Sequence, residues 1–273
     1  MFSKVFIIAL ASSPLVSAHG KIAAIQGDAG GNTTGIGIQG GVVPGAGPNS
    51  KTEVDTTVFN SVKAQSNGLG KTTGQGKNTL DMVSAAQDLS GGGDLPQVSS
   101  SGNGSLSGVY HIVTTDGAGP LKAVLDTTGT GNFADGTMMD VATQVPGTFG
   151  EISPNGKSVL RRALESMGVI AKRAANVNKD FPVAVSVPAG TTCTGTVNGQ
   201  SNVCLAKIAN SNPAGPFGGV VAFQMASDGT ATAVGSGSAD TTAAATASSA
   251  TAVSAKADKA GKKAGKKARQ FAA

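Results

Sequence analysis

Tryptophan is absent from this 273-residue chain, tyrosine occurs once (Tyr110), and aromatic residues together make up 4%. A broad sugar-binding platform of Trp and Tyr rings is therefore excluded. Long apolar runs are missing too. The longest, Val5–Leu10, falls well short of the roughly 20 residues that span a bilayer. Cysteine and histidine occur only twice each, as Cys193 and Cys204 and as His19 and His111. The formal charge of +5 is concentrated at one end, because residues 256–269 carry seven basic side chains against one acid. Without that tail and the leader's Lys4, the remainder is weakly acidic, which argues against a nucleic-acid-binding core.

What is present begins with a secretory leader. Residues 1–18 combine one positive charge, a short apolar core and small residues at Ser17 and Ala18, preceded by Val16. Cleavage after Ala18 makes His19 the first residue of the mature protein; Ala11 and Ala24 are less well placed behind the apolar run. The two cysteines then fit one disulfide in an oxidising compartment. The short loop between them contains Asn198-Gly199, which suits a bridged hairpin.

The remaining chain reads as a domain over 19–228, an Ala/Ser/Thr-rich linker over 229–255 and a lysine-rich disordered tail over 256–273. Short apolar stretches between Gly/Pro turns predict strands at Lys21–Gln26, Val54–Asn60, Val109–Thr114, Leu121–Asp126, Met138–Ala142, Pro182–Val187, Val203–Ala209 and Gly219–Met225. A short helix is predicted near Leu80–Leu89 and a longer one at Lys157–Ala174, whose apolar stripe includes Leu160, Leu164 and Met167. The pairs Arg161-Arg162 and Lys172-Arg173 read as solvated helix charges, with dibasic processing as the alternative. Two phosphate-loop lookalikes fail. Gly35–Gly40 is followed by Gly41 and Pro44 where a helix must start, and Gly70-Lys71-Thr72 lacks the leading glycine. Many short strands, Gly/Pro turns and one disulfide predict a mainly β fold, a β-sandwich with a short helical insertion. Asn32-Thr-Thr34 and Asn103-Gly-Ser105 are N-glycosylation acceptors. The chain is expected to be a secreted monomer, extracellular or wall-associated, with a tail suited to acidic polymers or anionic lipid.

One of the two histidines is thus the expected new N-terminus. An N-terminal histidine offers its α-amine and ring Nδ1 to a single metal ion, and a second imidazole completes three neutral nitrogens, a histidine brace. That donor set suits copper. His111 is the only candidate for the third nitrogen. Asp116, five residues on, either accepts a hydrogen bond from a ring N–H, ligates the metal in a closed site, or serves as a turn residue before Gly117.

The start His19-Gly20, the segment Tyr110-His111…Asp116-Gly-Ala-Gly-Pro120 and the segment Gly215-Pro-Phe-Gly-Gly-Val-Val-Ala-Phe-Gln224 together resemble the Egh16-like family. Its members are secreted fungal proteins, several of them linked to infection structures and virulence. More distantly, the layout is similar to fungal lytic polysaccharide monooxygenases. That similarity implies an immunoglobulin/fibronectin-like sandwich, a copper cofactor, a cell-wall or host polysaccharide partner and, if the protein is an enzyme, copper-dependent oxidation. It implies Phe217 as the axial aromatic beside the metal, and Gln224 is a candidate polar donor behind it. The chain departs from the monooxygenase pattern at Gly215, where a glutamine is frequent, and at Val220, where a cysteine is common.

Overall fold

The computed structural model describes residues 19–40, 53–102, 104–152, 176–213 and 215–226. By contacts the chain divides into Met1–Val234 and Gly235–Ala273, and the second unit lies wholly outside the described residues. So do the leader, the Lys157–Ala174 segment with both dibasic pairs, and Asn103.

Thirteen strands are described: β1 (Gly20–Gly27), β2 (Gly30–Thr33), β3 (Thr57–Val58), β4 (Lys71–Thr72), β5 (Gly76–Lys77), β6 (Gln97–Val98), β7 (Ser105–Thr114), β8 (Lys122–Asp126), β9 (Thr137–Thr143), β10 (Asn176–Ser186), β11 (Gly195–Val197), β12 (Gln200–Ala209) and β13 (Phe217–Met225). One α-helix, α1 (Met82–Leu89), accompanies them among the described residues. The fold is mainly β, as the turn-punctuated apolar pattern predicts. No described helix is long and apolar enough to cross a membrane.

The sequence leads one to expect two separate sheets. Instead, hydrogen bonds join the strands into a single sheet that closes on itself. The ring runs β12-β8-β9-β10-β7-β1-β13 and returns to β12, antiparallel at every step except the parallel pair β1–β13. Closure needs local bends, and register shifts supply them between Ile22 and Ala24, between Asn176 and Lys179, and between Ala184 and Ser186. A side chain at Gly218 would run into the backbone of Ile208, so glycine lets β12 and β13 approach closely.

Alternation along each ring strand then produces two apolar layers. On β12, Cys204, Ala206 and Ile208 point into the barrel, where they meet Tyr110, Leu125, Val185 and Phe223. Val203 and Leu205 point outward, under a layer containing Phe59, Leu69, Val83 of α1, Leu95 and Phe133. That outer layer is mostly loop. The predicted strand Val54–Asn60 is reduced to the two residues of β3, behind a 3-10 turn at Glu53–Asp55, because Thr56 closes the turn by hydrogen-bonding back to Glu53.

The disulfide forms as the spacing predicts. Cys193 and Cys204 are bonded, with their Cα atoms 5.0 Å apart. Between them β11 and β12 make a hairpin whose turn residues, Asn198 and Gly199, both have positive φ. That is the primed turn that an Asn-Gly pair favours. Asn32 is exposed on β2.

Candidate metal centre

The parallel pairing of the first and last barrel strands brings His19 to Phe217. Lys21 pairs with Gly218, so Phe217 lies beside Gly20, and its ring meets the His19 ring edge-on at 5.5 Å between centroids. On its other side β1 pairs with β7, Gly20 opposite Ile112 and Lys21 opposite His111. His19 continues this ladder, accepting from Val113 N at 3.0 Å and Thr114 N at 3.2 Å. It therefore lies at the end of β1, two residues from Lys21, the residue paired with His111.

The main chain of His19 is held firmly. Its N–H donates to Thr114 Oγ1 at 2.7 Å. The turn Thr115–Gly117 presses on it so closely that a side chain at position 117 would collide with the His19 carbonyl. Asn210 locks this end of the barrel: its amide donates to the carbonyls of Asp116 and Ala118, and its Oδ1 accepts from Phe217 N at 2.9 Å.

The His19 ring is treated differently from its backbone. It is 7% exposed, and its Nδ1 is buried with no hydrogen-bond partner. Burial pushes its pKa down from 6.5 to about 4, so the ring is neutral. A neutral imidazole with an unshared ring nitrogen is what a metal ligand requires. His111 is fully buried; its Nδ1 lies 2.6 Å from Asp180 Oδ1 and its Nε2 lies 3.4 Å from Asn178 Oδ1. A divalent metal would draw on the orphaned Nδ1 of His19 and on a ring nitrogen of His111, whose Nδ1 already contacts a carboxylate and whose Nε2 faces the Asn178 side chain.

Two candidates fall outside this set. Among the described residues no three of His, Cys, Asp and Glu come together as a metal cluster, so neither Asp116 nor Asp180 completes one with the two histidines. Asp116 is built into its turn, accepting from Thr115 Oγ1 at 2.9 Å while its carbonyl takes hydrogen bonds from Asn210 and Asn212. Gln224 sits at the opposite end of β13, seven residues or about 23 Å from Phe217. There it accepts from Gln97 at 2.8 Å and donates to Ser201 O at 2.7 Å, which makes it part of the strand packing rather than of the centre.

Asp180, Asn178, Thr114 and Asn210 are the residues that sequence reasoning missed. Asp180 and Asn178 reach the site through β10, whose pairing with β7 sets Asp180 opposite His111.

The sequence profile of the Egh16-like virulence factor family matches residues 17–218, a span that includes β1, His111 and Phe217. An appressoria-specific virulence factor of Pyricularia oryzae, GAS1, is 34% identical over 219 residues, which cover 80% of this chain and 76% of that protein. A second factor so named from the same fungus, GAS2, is 36% identical over 141 residues, 52% of this chain and 41% of its own. No solved structure matches the chain. With the profile covering well over half of the chain, including six of the seven ring strands, the chain belongs to the Egh16-like virulence factor family.

Proposed function

We propose that this is a secreted copper-binding protein that works at a fungal surface or host interface during infection. In this reading the leader is removed after Ala18, the freed amine and Nδ1 of His19 supply two nitrogens, and His111 Nε2 supplies the third. The observation that carries it is the buried, unpartnered Nδ1 of His19, on the strand paired with the one that carries His111. An orphaned polar atom in a packed site costs about 1–3 kcal/mol unless something outside the chain satisfies it.

Bound copper would supply one-electron redox chemistry. The chain's own residues do the holding: Thr114 and the Val113 backbone fix His19, Gly117 closes over its carbonyl, and Phe217 covers one side of its ring. With the His19 ring 7% exposed and that of His111 fully buried, the arrangement favours carriage or scavenging of the metal over attack on a polymer. A second reading, oxidation of cell-wall or host polysaccharide in the manner of the lytic monooxygenases and their sandwich fold, draws its support from Phe217 standing edge-on to His19. The appressorial role of the Pyricularia relatives supports the infection setting.

The test is expression with the native leader in a fungal host, mass spectrometry of the N-terminus, and an EPR spectrum after one equivalent of Cu(II). A histidine start and an axial, nitrogen-rich spectrum that vanishes in His111→Ala are expected. A different N-terminus, or a spectrum like aqueous copper, defeats the proposal. Ascorbate-dependent peroxide formation or polysaccharide cleavage that requires His111 would decide for the oxidative reading.

A further inference from the structure

A ring nitrogen serves as a metal ligand only when it carries no proton, and the two nitrogens of a neutral imidazole compete for the one proton they share. In an exposed histidine that choice is open. In His111 it is not. Asp180 Oδ1 lies 2.6 Å from Nδ1, and an ionised carboxylate can only accept, so the proton in this contact belongs on Nδ1. The remaining nitrogen, Nε2, is then the bare one.

The backbone explains why Asp180 is in place. β10 and β7 pair antiparallel with Asp180 directly opposite His111, and the ladder is interrupted between Asn176 and Lys179. At that interruption Asn178 adopts a left-handed conformation (φ 43°), which turns its carboxamide towards the other end of the same ring, 3.4 Å from Nε2. Asn178 is neutral, and with its amide oxygen and nitrogen exchanged its NH2 faces the bare Nε2, while the charged group holds Nδ1. Asp180 is 29% exposed, whereas the ring it contacts is not exposed at all.

We propose that Asp180 is the positioning residue of the metal centre: it fixes the Nδ1–H tautomer and orientation of His111 and so presents Nε2 as the ligand nitrogen. This rests on the copper reading of the site and adds a residue to it that touches no metal. Outer partners of this kind typically command about 10–100-fold in metal affinity.

The experiment uses the mature protein with residue 19 as its N-terminus, in wild-type, Asp180→Ala and Asp180→Asn forms. Long-range ¹⁵N–¹H correlation spectra of the metal-free proteins report the His111 tautomer directly. Competition titration with Cu(II) alone reports affinity, and thermal melting checks the fold. The expected result is Nδ1–H in the wild type, a shift towards Nε2–H in Asp180→Ala with copper binding weakened about 10–100-fold, and partial recovery of both in Asp180→Asn, whose amide oxygen still accepts. Should Asp180→Ala fail to fold, the Asn form carries the test alone, with a smaller loss of affinity expected than complete removal gives. An unchanged tautomer in Asp180→Ala, or copper affinity within threefold of wild type in that variant (or in Asp180→Asn where the Ala form does not fold), overturns the inference while leaving the copper site standing. A wild-type protein that binds no copper removes the site itself, whatever the tautomer.

Discussion

Of the places where this protein buries polar nitrogen, two treat it in opposite ways. On the outer face of β12, Lys207 is 2% exposed, and its ammonium donates to Ser66 O and Ser66 Oγ, both at 2.9 Å. The Phe59 ring lies 4.6 Å below it and the Phe133 ring 5.6 Å away. Its surroundings consume it: two hydrogen bonds and two aromatic faces anchor the outer loop layer onto the barrel. At the barrel's end, the His19 backbone is equally well held, yet its Nδ1 is left over. The comparison teaches which burial serves stability and which leaves chemistry undone, and it predicts that damage at the two places will be read out differently.

The largest expected effect separates them outright. His111→Ala should weaken Cu(II) binding beyond the roughly 100-fold reach of an outer partner, since it removes a ligand, while shifting the melting temperature by only a few degrees. Competition titration beside calorimetry checks this. Equal losses in both would make His111 an ordinary packing residue and erase the contrast.

Lys207 offers the converse. Burial lowers its pKa from 10.5 to about 8, so between those values the unfolded chain binds more protons than the native one, and stability rises with pH. Below about pH 8 the cost of the buried charge is fully present. Against Lys207→Met, which lacks this linkage, the wild type should gain on the order of 3 kcal/mol from pH 8 to 10.5. The subtraction also cancels Tyr110, whose hydroxyl burial pushes above the ordinary phenol range in both proteins. Denaturant unfolding across that pH range tests the slope, and copper affinity at neutral pH should not move. A flat difference would mean that Lys207 is solvated, and that the two regions are not so different.

The disulfide makes a third cut between stability and binding. Its 11-residue separation closes a small loop, so Cys193→Ser with Cys204→Ser should cost about 2–3 kcal/mol through the unfolded chain. Copper affinity should be retained at temperatures where the variant is folded. A loss of binding in the folded variant would tie the hairpin to the metal centre.

How much of this was readable beforehand follows from the range of each interaction. The bridged hairpin was legible because Asn198-Gly199 encodes its own turn, and β7, β8, β12 and β13 were legible because two-residue alternation is a local property. Barrel closure was not. It depends on β1 meeting β13 across nearly the whole domain, and nothing within either strand names its partner. The same ignorance hid Asp180, which in isolation is one more charged residue in a half-exposed strand and gains meaning only opposite His111. Gln224 was a different kind of miss. A strand advances about 3.3 Å per residue, so its distance from Phe217 was available from the numbering alone. The outer layer resisted for a third reason: its strands are two residues long and too short to carry a period.

Phe217 provides the finest test, because it belongs to both worlds. Its backbone is structural, with N–H donated to Asn210 and carbonyl accepting from Tyr110 at 3.3 Å, while its ring touches His19. Phe217→Leu keeps the backbone partners and an apolar side chain, so its stability cost should stay near 1–2 kcal/mol. If the ring only fills space, the copper spectrum will be unchanged. If it shields one face of the metal, as the edge-on contact with His19 implies, the EPR parameters should shift with less than about a tenfold change in affinity. A shifted spectrum with near-normal stability would show that a single side chain packs the barrel and shapes the centre at once. The boundary between the two kinds of burial would then run through the Phe217 residue, between its main chain and its ring.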